Sequence, residues 1–248
     1  MRQFIKGDCL AVLPTLPSQS VDLIFTDLPY GTLNCKWDVK LPLAQLWQQW
    51  KRLLRPRGAV LLFGQQPFSS ELVFSNRRWF RYEWVWEKSN AVGFLNANKM
   101  PLRAHESVMV FYPNLPTYNP QKTAGKPYRS NGKRHGVYAG YSTSRKSATV
   151  NETGERHPRS VLKFASNKRT VHPTQKPAEL CEYFIRTYTN EGATVLDCCM
   201  GSGTTGVAAG RSGRNFIGIE RDPEFFLKAA GRISPMAAHY FSACRGRN

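Results

Sequence analysis

The chain is expected to fold as an α/β domain, a mostly parallel sheet with helices on both faces, and three observations carry that expectation. Short apolar runs alternate with helical stretches on both sides of a strongly basic segment, as strands joined by crossover helices do. One of those runs passes into a glycine-rich turn and then a helix start, at residues 194–210. The composition suits a buried core: 41% of the 248 residues are hydrophobic, with six Trp, fourteen Phe and ten Tyr available for packing.

Residues 21–26, Val-Asp-Leu-Ile-Phe-Thr, read as a short buried strand that stops at the turn Asp27-Leu28-Pro29-Tyr30-Gly31. Residues 43–54 put Leu43, Leu46, Trp47, Trp50 and Leu54 on one face of a helix that stops near Pro56 and Gly58. Residues 59–63, 83–86 and 107–112 read as further strands, the last two rich in β-branched and aromatic side chains. After the basic segment, 178–189 is a helix with Pro177 at its start, and 193–198 is a strand. A helix opens at 203–210, 215–220 is a strand, and a last helix runs over about 223–233. Trp37, Trp47, Trp50, Trp79, Trp84 and Trp86 are expected in the core.

Charge narrows the partners. Thirty-five Lys and Arg oppose seventeen Asp and Glu, a formal net charge of +18 that attracts a polyanion, either nucleic acid or an anionic membrane surface. No apolar run approaches the roughly 20 residues of a membrane helix, and residues 1–10 lack the apolar region of a secretory signal. The six cysteines include no Cys-x-x-Cys, and Cys198 and Cys199 would face opposite ways on a strand. Neither a metal site nor a disulfide framework is therefore expected, and the thiols read as those of a reduced, cytoplasmic protein.

More than half of the net charge lies in residues 113–170, where six Lys and six Arg meet only Glu152 and Glu155. Tyr118, Tyr128, Tyr138 and Tyr141 are spaced through it, and a basic loop interleaved with aromatics suits nucleic acid. A solvated linker is the alternative. Lys122, Lys126, Arg129, Lys133 and Arg134 are the candidate DNA contacts, while His135 and His157 are expected to be solvated or to face phosphate. The expected organisation is one domain over 1–112 and 171–235, an insertion over 113–170 and a tail over 236–248, which carries Arg245 and Arg247.

In Asp197-Cys198-Cys199-Met200-Gly201-Ser202-Gly203-Thr204-Thr205, small residues let a ligand approach the backbone at a helix start. Glu220 ends the following strand, where a carboxylate can accept both hydroxyl protons of a ribose. No Lys follows the glycines as in a phosphate-binding loop, and Gly206 falls one position late for a dinucleotide fingerprint. Asp197 favours a ligand bearing an ammonium, because it would repel a pyrophosphate. S-adenosylmethionine fits that requirement, with an ordinary strand-to-helix turn as the bland alternative.

Asp27-Leu28-Pro29-Tyr30 closes a buried strand, where open α/β sheets place their chemistry. An exocyclic amine of adenine or cytosine has its lone pair delocalised into the ring. Two acceptors, the Asp27 carboxylate and the Leu28 or Pro29 carbonyl, can draw the nitrogen toward tetrahedral geometry. Tyr30 offers a face on which a flipped base can stack.

Together these motifs resemble the amino-group DNA methyltransferases that use S-adenosylmethionine. Asp27-Leu28-Pro29-Tyr30 is similar to the family's catalytic Asp-Pro-Pro-Tyr, with Leu28 in place of the first proline. Residues 197–205 are similar to its methionine-binding Asp-Pro-Phe-x-Gly-Ser-Gly-Thr-Thr, with Cys198 and Cys199 in place of Pro-Phe. His172-Pro173-Thr174-Gln175-Lys176-Pro177 is similar to the segment before that loop, and Gly7-Asp8-Cys9-Leu10 to the family's N-terminal element. His105-Glu106 falls where the family often has that pair.

The resemblance implies a Rossmann-like methyltransferase fold with a basic target-recognition insertion, and the motif order is that of the β-class. It assigns Asp27, Pro29 and Tyr30 to catalysis, and Asp8, Cys9, Lys176, Asp197, Gly201, Ser202, Gly203, Thr204 and Glu220 to the cofactor. Asp8 would meet the adenine amino group and Lys176 the methionine carboxylate. The implied activity is site-specific methylation of the N6 amine of adenine in double-stranded DNA after base flipping. N4-cytosine methylation is the close alternative, followed by an RNA methyltransferase or a catalytically dead DNA-binding protein. The resemblance also raises a homodimer and a cognate restriction nuclease as partners.

Overall fold

The computed structural model describes residues 1–32, 35, 38–131, 137–138, 141–142, 148–166 and 175–234. Trp37, Lys133, Arg134, His135, His172, Pro173, Thr174, Cys244, Arg245 and Arg247 lie outside the described residues, as does the expected tail over 236–248. The chain forms two compact units, Met1–Asn119 with Ser160–Asn248, and Pro120–Arg159.

In the larger unit the elements run β1 (Arg2–Lys6), α1 (Cys9–Val12), β2 (Val21–Thr26), α2 (Leu43–Leu53), β3 (Leu54–Gly64), α3 (Phe68–Ser75), β4 (Phe80–Val92) and β5 (Arg103–Phe111). The smaller unit carries β6 (Tyr128–Asn131), β7 (Val137–Tyr138), β8 (Tyr141–Ser142) and β9 (Ala148–Asn151). The chain then returns through β10 (Val161–Phe164), α4 (Ala178–Tyr188), β11 (Thr194–Asp197), α5 (Thr204–Arg211), β12 (Asn215–Glu220) and α6 (Pro223–Ile233). Eight strands form one sheet in the order β1-β12-β11-β2-β3-β5-β4-β10. Only the two pairings of β5, with β3 and β4, are antiparallel, so the sheet is mostly parallel.

Strand alternation divides the core. Leu23 and Phe25 of β2, with Leu61 and Phe63 of β3, pack with Leu180, Phe184, Val207 and Ile233 of α4, α5 and α6. Ile24, Val60 and Leu62, one residue out of phase, pack with Leu13, Leu46, Trp50 and Leu72 on the opposite face. Central strands buried on both sides are near-continuous apolar runs for this reason. Full burial of each large apolar side chain contributes about 1.5–3 kcal/mol. Helix α2 buries Leu46, Trp47, Trp50 and Leu53, and α4 buries Leu180, Cys181, Phe184, Ile185 and Tyr188, each one stripe of an amphipathic helix.

Helix α2 ends at Leu53, near Pro56 and Gly58 as expected, and both of these residues already lie within β3. A Cβ at Gly58 would stand 2.7 Å from the Asp22 carbonyl oxygen, so the glycine permits the close approach of β2. The segment set apart by composition exceeds the smaller unit: residues 113–119 belong to the larger unit, and β10 extends its sheet alongside β4. As an edge strand with Val161 about half exposed, β10 carries little apolar signal.

The smaller unit is held by β6 pairing with β9 in antiparallel register, Tyr128 opposite Asn151, and by a bridge between Thr123 and Arg156. The Arg156 guanidinium lies 4.7 Å from the Tyr128 ring centroid. Gly154 has φ +74°, and a Cβ there would collide with the Gly125 carbonyl.

Candidate active site

Strands β2 and β11 lie side by side, yet β2 leads to β3 on one side and β11 to β12 on the other. Their helices therefore leave toward opposite faces, opening a crevice at the carboxyl ends of the two strands, where open α/β sheets bind ligands. Both motifs read from the sequence end here. Thr26, the last residue of β2, donates its hydroxyl to Oδ1 of Asp197, the last residue of β11, at 2.8 Å. A cavity of about 560 Å³ lies over this junction, within the size range of small-molecule sites.

Asp27, Pro29, Tyr30, Asp8, Cys9, Lys176, Asp197, Gly201, Ser202, Thr204 and Glu220 all line that cavity. Gly203 is not among its lining residues. It caps α5 with φ +77°, and a Cβ there would approach Ile233 and Ala229 of α6 to under 3 Å, so it permits helix packing.

A chain of alternating charge runs through the side of the cavity that holds Asp27. The Asp27 carboxylate, a quarter exposed, accepts the Tyr30 hydroxyl at 2.9 Å on Oδ1 and the Lys176 ammonium at 2.6 Å on Oδ2. Lys176 also pairs with Glu106 at 3.2 Å, and Glu106 with Lys88 at 2.6 Å. Burial pushes the Asp27 carboxyl above its ordinary value, against the pull of Lys176. For Lys176, burial works to lower the pKa, but the Asp27 and Glu106 carboxylates outweigh it and hold the ammonium charged. Glu106 is likewise penalised by burial, yet Lys176 and Lys88 carry it below the ordinary carboxylate value. The Tyr30 phenol, raised by burial and then by the Asp27 carboxylate, remains a proton donor. Its ring stacks on Phe68 with centroids 5.0 Å apart, which covers one face.

The turn after Tyr30 is fixed by Asp38, a buried carboxylate that accepts the Gly31 amide at 3.0 Å and the Thr32 amide at 2.7 Å. Leu28, in the place of a proline, is 3% exposed and packs into the core beneath the turn.

The glycine-rich side presents three carboxylates. Asp197 is almost fully buried, and burial pushes its pKa up to about 6 against hydrogen bonds from Thr205, Thr26 and the Cys199 amide. Glu220 is raised by burial, and its two oxygens accept the amides of Asp222 and Gly201, each at 2.8 Å. Asp8 follows β1, whose Lys6 pairs with Glu220, and caps α1 by accepting the Leu10 amide at 2.8 Å. Gly201, at φ +49°, bends the chain into the cavity wall between Asp197 and α5.

Sequence reading missed three contributors. Lys88 follows Trp84 and Trp86 at alternate positions of β4, and a lysine in phase with two buried tryptophans was the available signal. Asp38 and Thr26 carry no such mark, since their importance arises only when distant segments meet. Cys198 and Cys199 lie in the turn after β11 rather than on the strand, and both face the cavity with Cys9. The basic candidates stand in the smaller unit: Lys122 pairs with Glu155 at 2.8 Å, while Lys126 and Arg129 are exposed.

Residues 21–230 match the model of the N6/N4 DNA methylase family. The chain belongs to that family and is thus a DNA amino-methyltransferase. The type II methyltransferase M.HinfI of Haemophilus influenzae is 27% identical over 94% of this chain and 68% of its own length. The structure of an M1.HpyAVI–SAM complex superposes with a TM-score of 0.65 at 25% identity, covering 94% of this chain and all of that one. The cytosine-N4-specific PvuII DNA methyltransferase shares the fold, with a TM-score of 0.66 at 18% identity over 99% of this chain and 93% of its own. Among the described residues no helix is long and apolar enough to cross a membrane, and no group of three or more His, Cys, Asp or Glu is arranged to hold a metal.

Proposed function

We propose that the protein methylates the N6 amine of adenine in DNA. The observation that carries this reading is the placement of Asp27 beside Asp197 at the junction of β2 and β11, with both carboxylates facing one cavity. The Asp form of the catalytic tetrapeptide, which the family ties to adenine more often than cytosine, supports the choice of base.

S-adenosylmethionine is the cofactor, and the donor set fits it: Asp197 suits an ammonium, Glu220 a pair of ribose hydroxyls and Asp8 an adenine amine. When bound, it supplies an electrophilic methyl group. Asp27 accepts one hydrogen of the target amine on a lone pair left free by Tyr30 and Lys176, and a backbone carbonyl of Leu28 or Pro29 accepts the other. Positive charge that develops on the amine is stabilised by the same carboxylate. The raised pKa of Asp27 then suits it to receive the proton the methylated amine must lose. Lys176 keeps Asp27 ionised until that moment, and Glu106 with Lys88 holds Lys176 in place. Extruding the base costs a few kcal/mol, offset by stacking and these hydrogen bonds. Residues 120–159 serve as the target-recognition unit, a role supported by the basic composition of the segment and the exposed Lys122, Lys126 and Arg129.

The reading is tested by nucleoside mass spectrometry of unmethylated DNA incubated with the protein and S-adenosylmethionine. N6-methyladenine is the expected product. N4-methylcytosine would reverse the choice of base, and methylation of RNA alone would overturn the substrate.

A further inference from the structure

The cavity contains three cysteines that the chemistry above does not use. Cys9 opens α1, while Cys198 and Cys199 follow β11, far away in sequence. All three line the cavity and pack in the same apolar cluster. Interaction with the Cys198 and Cys199 side chains pulls the Cys9 thiol below its usual value, which favours its thiolate at this shared site.

We propose that Cys9 and the Cys198–Cys199 pair form a peroxide-sensitive site that closes as a disulfide and shuts the cofactor cavity. The proposal rests on the reading of this cavity as the S-adenosylmethionine site. The Cys9 thiolate attacks one oxygen of hydrogen peroxide, the O–O bond breaks, and a sulfenic acid and hydroxide form. The sulfur of Cys198 or Cys199 then attacks the sulfenic sulfur, giving the disulfide and a second hydroxide. The two thiol protons convert both hydroxides to water. In sum, two thiols and one peroxide yield one disulfide and two waters.

The loop geometry links this bond to ligand binding. The Cys198 thiol donates to the Thr26 hydroxyl at 3.7 Å, and Thr26 donates onward to Asp197 at 2.8 Å. The Cys199 amide donates to the same Asp197 oxygen at 3.2 Å. Drawing either cysteine onto Cys9 pulls at the contacts that orient Asp197, and the bridge itself crosses the cavity wall. Cys181 lines the same cavity from α4 but packs in the opposite apolar cluster, so it serves as an internal control.

The test treats the reduced, full-length protein with hydrogen peroxide. Non-reducing peptide mass spectrometry reads the link, and calorimetry with S-adenosylmethionine reads the cavity. The expected result is a crosslink between the peptide of Cys9 and that of Cys198 and Cys199, with affinity lowered about tenfold or more and restored by dithiothreitol. Saturation with the cofactor beforehand should slow the crosslink. Cys9→Ser should form no link and should bind equally before and after peroxide, with Cys9→Ala as the substitute if serine unfolds that site. Cys198→Ser and Cys199→Ser identify the partner, since the link survives in only one of them.

Oxidation of Cys9 to sulfinic acid without a crosslink would overturn the proposal, as would a crosslink that leaves affinity unchanged. A reduced protein that binds no cofactor would instead count against the reading of the cavity, and would withdraw the regulatory consequence even if a crosslink formed.

Discussion

Replacing Lys176 with Met removes the buried ammonium that bridges Asp27 at 2.6 Å and Glu106 at 3.2 Å. Two carboxylates then face each other, with Lys88 still paired to Glu106. Breaking a buried pair by deleting one partner costs about 3–5 kcal/mol, and the lower end applies because the Asp27 side chain is a quarter exposed. For a chain of this size that corresponds to a fall in Tm of about 6–12 °C. The catalytic consequence is separate from the thermal one. Loss of an opposite charge in contact raises a carboxyl pKa by about 1–3 units, so Asp27, already raised by burial, stays protonated to higher pH. Methyl transfer needs the ionised form, and its rate falls as pH drops through that pKa. The acidic limb of the Lys176→Met pH–rate profile should therefore move upward by about 1–3 units, with cofactor affinity changed only a few-fold. Single-turnover methyl transfer between pH 5 and 9, with calorimetry on the same preparation, reads both quantities. An unmoved limb with a large loss of cofactor affinity would refute the reasoning and would assign Lys176 to the methionine carboxylate instead.

Four further outcomes follow from the same structure. Because Asp197 has a folded pKa near 6, above its unfolded value, its ionisation opposes folding as pH rises from about 4 to 6. Asp197→Asn should thus gain stability on the order of 2–3 kcal/mol at pH 7 in denaturant titration while losing cofactor affinity. In the wild type, cofactor affinity measured by calorimetry should weaken as pH falls below about 6, a dependence absent from the variant. Asp38→Ala, which deprives the Gly31 and Thr32 amides of their acceptor, should lower kcat with little change in cofactor Kd. Neutralising Lys122, Lys126, Arg129, Lys133 and Arg134 together should flatten the salt dependence of DNA binding in fluorescence anisotropy, and an unchanged slope would place the phosphates elsewhere.

The central elements were legible because burial on both faces writes itself into sequence. β2, β12 and α6 fall at the bounds their patterns predict, 21–26, 215–220 and 223–233. The edge strands β1 and β10 and the short α3 were not read, since a strand paired on one side and half exposed has no apolar run to betray it. At the site, the two motifs that hold Asp27 and Asp197 were visible as strand ends followed by turns. What sequence withheld was the charge chain. Lys88, Glu106 and Lys176 sit on three separate segments, and only the sheet order brings them to Asp27. That Cys198 and Cys199 both join Cys9 at the cavity was hidden for a related reason, because the strand ends one residue before Cys198 and the turn redirects both side chains.

Methyl transfer by Asp27→Ala tests the central claim most directly. Its variant protein, shown by calorimetry to bind S-adenosylmethionine within a few-fold of wild type, would be given unmethylated DNA under single-turnover conditions. The account predicts wild-type formation of methylated base and none above background from the variant. Methylation by the variant at a rate near that of wild type would contradict it, and would remove the Asp27 carboxylate from the chemistry.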